Sequence, residues 1–279
     1  MNYIQADVVV TNLGAPLHNG IVAYDELTGV ITGVYKENSI SNANIDRRKG
    51  VVIPGYINAH CHLELSHLKG VIPSGTGLIN FVKAVIQLRN FPQVVIDDAI
   101  GVADRNMDTA GIVAVGDISN TIDTLKTKLI SQVRYKTFVE TFDLFQEEQT
   151  GKVFEEYLEV YKQFIKSFSE DDVSMVPHAP YSVSQGLFQR LSELNSDQSV
   201  ISIHNQEVAA ENELFQNGSG AFLDFFEFMN LSTESIPSNG KTSLHYALTN
   251  MNPVHHTLLV HNTLTKPEDI DAAHDWSPN

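Results

Sequence analysis

Apolar residues recur along this chain with two different periods, and the change between them falls near residue 50. Before it, residues 6–11, 20–24 and 30–35 are short β-prone runs, separated by turn signals at Asn12-Leu13-Gly14, Asp25-Glu26 and Thr28-Gly29. They predict a small antiparallel sheet. From Val51 onward, strand-like runs at 56–62, 112–118, 133–140, 173–178, 200–204 and 257–261 alternate with other segments. Those at 78–89, 94–109, 152–168 and 184–194 carry apolar residues near i, i+3, i+4 and predict helices. Repeated strand–helix units predict a parallel sheet, closed or doubly wound. No Gly-x-Gly-x-x-Gly follows a strand, which weakens the doubly wound dinucleotide-binding reading.

The polar residues that close the apolar runs favour a closed barrel, whose chemistry gathers at the C-terminal strand ends. His60 and His62 close the first run, Asp117 the second, Glu140 the third, His178 the fourth, His204 the fifth and His261 the sixth. One histidine at a strand end is usually a loop residue; four of six strands ending in one are hard to assign to packing. Asp117 and Glu140 read equally as caps or as partners of other site residues. His60 and His62 stand at i and i+2 of one strand, so they project together while Cys61 faces away. Two neutral imidazoles on one rigid strand end suit a borderline divalent ion such as zinc. A bare His-x-His also reads as a histidine pair capping a strand.

Composition narrows the function classes. A chain of 279 residues holds one large α/β domain plus a small appendage. Its 18 basic and 34 acidic residues give a net charge of −16, which disfavours a nucleic-acid polymer; Arg47-Arg48-Lys49 is the one basic cluster. A single cysteine, Cys61, excludes an intrachain disulfide and fits a reducing compartment. No run of 18 apolar residues occurs, and Met1-Asn2-Tyr3-Ile4-Gln5 lacks an export signal, so the expectation is a cytoplasmic protein without a membrane partner.

The longer pattern around the histidine pair, a hydrophobic run ending in Pro54-Gly55 and then Asn58-Ala59-His60-Cys61-His62-Leu63-Glu64, resembles the first-strand signature of the amidohydrolase superfamily. The similarity is to its cytosine, guanine, S-adenosylhomocysteine and aminodeoxyfutalosine deaminase branch. His178-Ala179-Pro180-Tyr181-Ser182 resembles that branch's substrate-contacting element, His204-Asn205-Gln206-Glu207 its His-x-x-Glu element, and Leu259-Val260-His261-Asn262 the strand after it. The resemblance covers about residues 1–275. It implies a (β/α)₈ TIM-type barrel over residues 51–279, and for residues 1–50 the N-terminal part of a composite β-sandwich. It further implies that His60, His62 and His204 hold one divalent metal, zinc with iron the alternative. His178 would contact the substrate ring, Glu207 would shuttle protons, and His261 would hydrogen-bond the attacking water.

Elementary chemistry is compatible with those roles. Three imidazoles neutralise no charge, so an ion they hold stays strongly electrophilic. Hydrolysis of an aromatic C–NH₂ also needs a proton carried to the ring nitrogen and then to the departing ammonia, and Glu207, three residues past His204, is placed for it. The plainer reading of Glu207 is a carboxylate at the N-terminus of a helix over 207–213. Glu64 and His67 lie on the loop after the first strand, and one of them is expected to face the substrate. His18, His245, His255, His256 and His274 lack a partner at ligand spacing.

One departure is large. The family completes its site with an aspartate on an eighth strand, and only about six strands precede the end of this sequence. Asp269, Asp271 and Asp275 do not substitute, because Pro267-Glu268-Asp269 reads as a helix start. A barrel of six strands has open edges, so the expectation is a fragment or truncated product, inactive in isolation and prone to self-association as a homo-oligomer. The function expected of the full-length form is a metal-dependent aminohydrolase acting on a purine nucleoside or nucleobase, aminodeoxyfutalosine deaminase-like. The alternatives are a chlorohydrolase or amide hydrolase of the same superfamily, or an inactive ligand-binding protein. A cytidine-deaminase fold is disfavoured, since one cysteine cannot build its Pro-Cys-x-x-Cys ligand pair.

Overall fold

The short β-prone runs at the start of the chain fold on one another. The computed structural model describes residues 1–40 and 44–277, and it divides into two compact units, Met1–Tyr56 and Ile57–Asn279. In the first, β1 (Asn2–Val9) pairs antiparallel with β2 (Leu17–His18) and β3 (Ile21–Tyr24), and β3 pairs antiparallel with β4 (Ile31–Tyr35). A fifth strand, β5 (Ile45–Val52), runs parallel to β1, from Tyr3 opposite Ile45 to Val9 opposite Val52.

This corrects the expectation of a purely antiparallel sheet. β5 escaped detection because its middle is Asp46-Arg47-Arg48-Lys49, with no alternation of apolar residues. Among the described residues it pairs with β1 alone, and charged side chains suit a strand at a sheet edge. Ala6, Val9 and Val22 form the buried centre of the unit, with Leu17 and Val52 against it. Its strands form one five-stranded sheet, and no second, facing sheet occurs there among the described residues.

The second unit contains the six strands that the pattern predicts. They are β6 (Tyr56–Cys61), β7 (Ile112–Ser119), β8 (Arg134–Thr141), β9 (Val173–Pro177), β10 (Val200–Asn205) and β11 (His256–His261). β6-β7-β8-β9 form one sheet and β10-β11 another. The pairs β7·β8, β8·β9 and β10·β11 are parallel. The backbone bond from His204 N–H to the carbonyl of His178, at 2.9 Å, ties the end of β10 to the residue after β9. The row of strands is strongly curled. Six flat strands would put the first and last about 24 Å apart at the usual spacing, yet the rings of His60 on β6 and His261 on β11 have centroids 5.6 Å apart.

Helices α1 (Leu78–Leu88), α2 (Gln93–Thr109), α4 (Thr150–Ile165) and α5 (Gln185–Leu194) match the four periodic segments to within three residues at each end. Four more, α3 (Leu125–Ile130), α6 (Ala209–Asn217), α7 (Ala221–Phe228) and α8 (Ser243–Asn250), have six to nine residues, too few to display a period. The helix start read at Pro267 becomes α9 (Pro267–Trp276). The main core lies between strands and helices, with Ile118, Phe138, Met175 and Ile203 from the strands and Phe164 and Leu187 from α4 and α5. A second aromatic cluster packs Phe145 and Tyr181 against Phe222, Phe225 and Phe226 of α7. No helix of the described residues is long and apolar enough to cross a membrane.

Candidate active site

Five histidines meet where the strands end. The ring of His60 lies 5.0 Å from that of His62, 4.7 Å from that of His204 and 5.6 Å from that of His261, between centroids. His178 stands 5.0 Å from His204 on the side of β9. Cys61 points the other way, into the cluster of Leu63, Ile96, Val115 and Tyr135, as strand alternation requires. Burial there pushes its thiol up to about 12.

Burial also sets the charge of the histidines. It pushes His60 down to about 4 and His62 to about 3, each helped by neighbouring imidazoles, and it holds His178 and His204 well below the usual range. These rings are therefore neutral, the form that binds metal. His204 Nδ1 lies 2.8 Å from the carbonyl oxygen of His178, so it carries the proton and donates it there. The lone pair of His204 is then on Nε2, and that atom faces His62 Nε2 at 3.1 Å.

Two nitrogens each about 2.0–2.1 Å from a tetrahedral ion stand about 3.3 Å apart, so this spacing suits a shared cation. Nitrogens of His60, His204 and His261 also lie within 4.8 Å of one another, and His60 Nδ1 is buried without a hydrogen-bond partner. The donor set therefore fits a divalent ion. Glu140, His178 and His204 form a second convergent group. Glu140 Oε1 lies 3.3 Å from His204 Nδ1, but burial pushes its carboxyl up to about 8 while His204 is neutral. At neutral pH this is a contact between uncharged groups.

His178 has a fixed tautomer. Ser182 Oγ donates to the carbonyl of Ala179 at 3.1 Å and lies 2.6 Å from His178 Nδ1, so it accepts the Nδ1 proton and leaves Nε2 unprotonated. Phe142 and Tyr181 both neighbour the ring, each with its centroid 5.5 Å away.

Among the described residues, the side chain of Glu207 makes no capping bond to the helix that follows it. α6 begins at Ala209, and the carboxylate that gathers its free amides is Glu211. Glu211 Oε1 accepts from Glu207 N–H at 2.7 Å and Val208 N–H at 3.3 Å, and Oε2 accepts from Gln206 N–H at 3.0 Å. The side chain of Glu207 is thereby released toward His261, Oε2 to Nε2 at 3.5 Å. Burial raises its carboxyl and the His261 ring lowers it, with burial the larger effect. The backbone is unusual at the same place: Gln206, His261 and Asn262 have φ of 46°, 76° and 51°, rare for side chains other than glycine. Gln206 is fully buried, its amide nitrogen on Asp269 and its amide oxygen on Thr265.

The other expected residues stand outside the group of five histidines. Glu64 is buried, and its Oε2 accepts from the backbone of Asn120 (2.9 Å) and Thr121 (3.0 Å); Oε1 has Arg89 at 3.9 Å and no hydrogen bond. Burial pushes its carboxyl up to about 7. His67 Nε2 meets the carbonyl of Arg89 at 3.0 Å, and its ring rests on Phe91. Asp117 is engaged by Lys128 and Leu63. Asp269 caps α9 through Lys266 N–H, while Asp271 and Asp275 are exposed. The clasp of Glu211, the clamp of Gln206 and the burial of Lys128 carried no sequence signal beyond their residue types.

No family model matches the chain. By sequence it is 30% identical over 258 residues to an aminodeoxyfutalosine deaminase of a Nitratiruptor species, an alignment covering 89% of this chain and 61% of that protein. Relatives of this kind are deaminases. By structure it matches Helicobacter pylori aminofutalosine deaminase in complex with methylthio-coformycin, with a TM-score of 0.77 and 21% identity over 99% of this chain and 67% of the other. It also matches atrazine chlorohydrolase from Arthrobacter aurescens complexed with zinc, with a TM-score of 0.67 and 16% identity over 99% of this chain and 64% of the other. Relatives and neighbours alike are hydrolases of the amidohydrolase family, and this chain shares their mixed α/β fold over nearly all its length. It spans 61% of the length of the Nitratiruptor relative.

Proposed function

We propose that this chain carries the catalytic centre of a metal-dependent aminohydrolase that removes the exocyclic amino group of a purine nucleoside or nucleobase, with an aminodeoxyfutalosine-like nucleoside as the leading substrate. In this reading β6 to β11 are six strands of a (β/α)₈ barrel, and the first unit belongs to a composite sandwich. His60, His62 and His204 hold one divalent ion, zinc in the first instance. The observation that carries the proposal is the approach of His62 Nε2 to His204 Nε2 at 3.1 Å, with the Glu207–His261 pair beside it.

When bound, the ion would supply Lewis-acid activation of the attacking water. The remaining work falls to this chain's own side chains. His178, neutral with Nε2 unprotonated, accepts a hydrogen bond from an exocyclic N–H or a hydroxyl of the substrate and orients it. Glu207, its carboxyl raised by burial, takes a proton from the attacking water and delivers it to the ring nitrogen. It then moves a proton to the amino group, which leaves as ammonia while the ring carbon becomes a carbonyl. His261, 3.5 Å from Glu207, holds the water and the carboxylate in register. The free oxygen of Glu64 is the proposed contact for a hydroxyl of the substrate, with His67 as the alternative.

A second reading, hydrolysis of a C–Cl bond, is favoured by the fold shared with the chlorohydrolase. Zinc-loaded protein assayed over amino-purines, their nucleosides and chlorotriazines separates the two. Ammonia release from purine substrates supports the proposal; chloride release without ammonia supports the second reading.

A further inference from the structure

Asp117 and Lys128 form an ion pair, Oδ2 to Nζ at 2.7 Å, with neither side chain exposed to solvent. A desolvated pair of this kind contributes little net stability, because apolar side chains of similar volume hold a core as well or better. Its polar atoms are all engaged. The ammonium also donates to Ser119 Oγ at 3.1 Å and Thr137 Oγ1 at 3.0 Å, and it lies over the rings of Phe164 and Tyr135. Asp117 also accepts from Ser119 Oγ at 3.1 Å, and it makes one bond to the strand of the histidine pair. Asp117 Oδ1 accepts from the backbone N–H of Leu63 at 2.8 Å, and Leu63 directly follows His62.

The neighbouring residue of the same strand acts on the other side of the histidine pair. A Cβ at Gly116 would collide with the carbonyl oxygen of Ala59, the residue before His60, so only glycine lets β6 approach β7 this closely. β7 therefore grips the chain immediately before His60 and immediately after His62.

We infer that Asp117, held in place by Lys128, is a positioning residue for the His60/His62 pair: it fixes the backbone after His62 so that Nε2 of that ring is presented to His204. The inference rests on the proposal that these histidines hold a divalent ion. It explains why polar groups occupy a place where apolar residues would serve stability, and why Asp117 turns its second oxygen to the N–H of Leu63. Partners that orient a ligand typically change metal affinity by about 10- to 100-fold when removed.

The test is zinc affinity, measured by competition with a chromophoric chelator, alongside circular dichroism and urea denaturation. Asp117→Leu with Lys128→Met removes the pair and the Leu63 bond together; Asp117→Asn with Lys128→Met removes the charges and keeps an acceptor for Leu63 N–H. The leucine variant is expected to bind zinc about 10- to 100-fold more weakly while folded, and the asparagine variant within about threefold of wild type. If the leucine variant does not fold, Asp117→Ser with Lys128→Met replaces it, its hydroxyl too short to reach Leu63, with the same weakening expected. A folded leucine or serine variant with wild-type affinity overturns the inference, and so does an asparagine variant as weak as they are. Wild-type protein that binds no zinc overturns the metal proposal, and this inference falls with it.

Discussion

Glu207 Oε2 and His261 Nε2 stand 3.5 Å apart at the ends of neighbouring strands, where Asn205 pairs in register with His261. The pairing is made possible by a division of labour between two nearby carboxylates: Glu211 takes the free amides of α6, so Glu207 has no structural duty and its side chain is available for chemistry.

That division predicts the behaviour of Glu207→Gln. Measured in the complete protein, the variant should keep its zinc, since no proposed ligand is touched, and should lose about 10²- to 10⁴-fold in kcat, the usual contribution of a positioned proton carrier. Steady-state ammonia release and metal content measured on the same preparation check it; near-normal kcat would leave Glu207 without a catalytic role.

The same division predicts a stability effect at Glu211. Glu211→Ala leaves the amides of Gln206, Glu207 and Val208 without their acceptor in a buried turn, and should cost about 3 kcal/mol. The midpoint of urea denaturation reads this directly, and Glu211→Gln, which retains one acceptor oxygen, should fall between the alanine variant and wild type.

His178 should separate substrate binding from metal binding. Removing its ring in His178→Ala deletes one hydrogen bond to the substrate, so in the complete protein kcat/KM should fall by about 10- to 100-fold with zinc content unchanged. Loss of zinc in this variant would place His178 among the ligands, alongside Glu140 in the second convergent group.

Much of this arrangement was legible in the sequence, for identifiable reasons. Each apolar run of the second unit ends in a polar residue, so strand ends and candidate chemistry were marked by the same positions, from His60 to His261. The i, i+2 spacing of His60 and His62 fixed their common direction, and Cys61 turns away as that rule requires. β5 was illegible because its charged middle carries no alternation. Lys128 was illegible because a six-residue helix shows no period, and a lysine is ordinarily solvated; only the fold brings it to Asp117. The exchange of roles between Glu207 and Glu211 was equally hidden, since both carboxylates lie near the start of the same helix and the sequence does not say which one turns back onto the backbone.

Zinc K-edge X-ray absorption on protein loaded with one equivalent of zinc addresses the central claim most directly. A first shell containing three imidazole nitrogens at about 2.0–2.1 Å is expected for wild type, falling to two in His62→Ala and in His204→Ala. A shell without imidazoles, or one that is unchanged in both variants, would contradict the assignment of His60, His62 and His204 as the metal site.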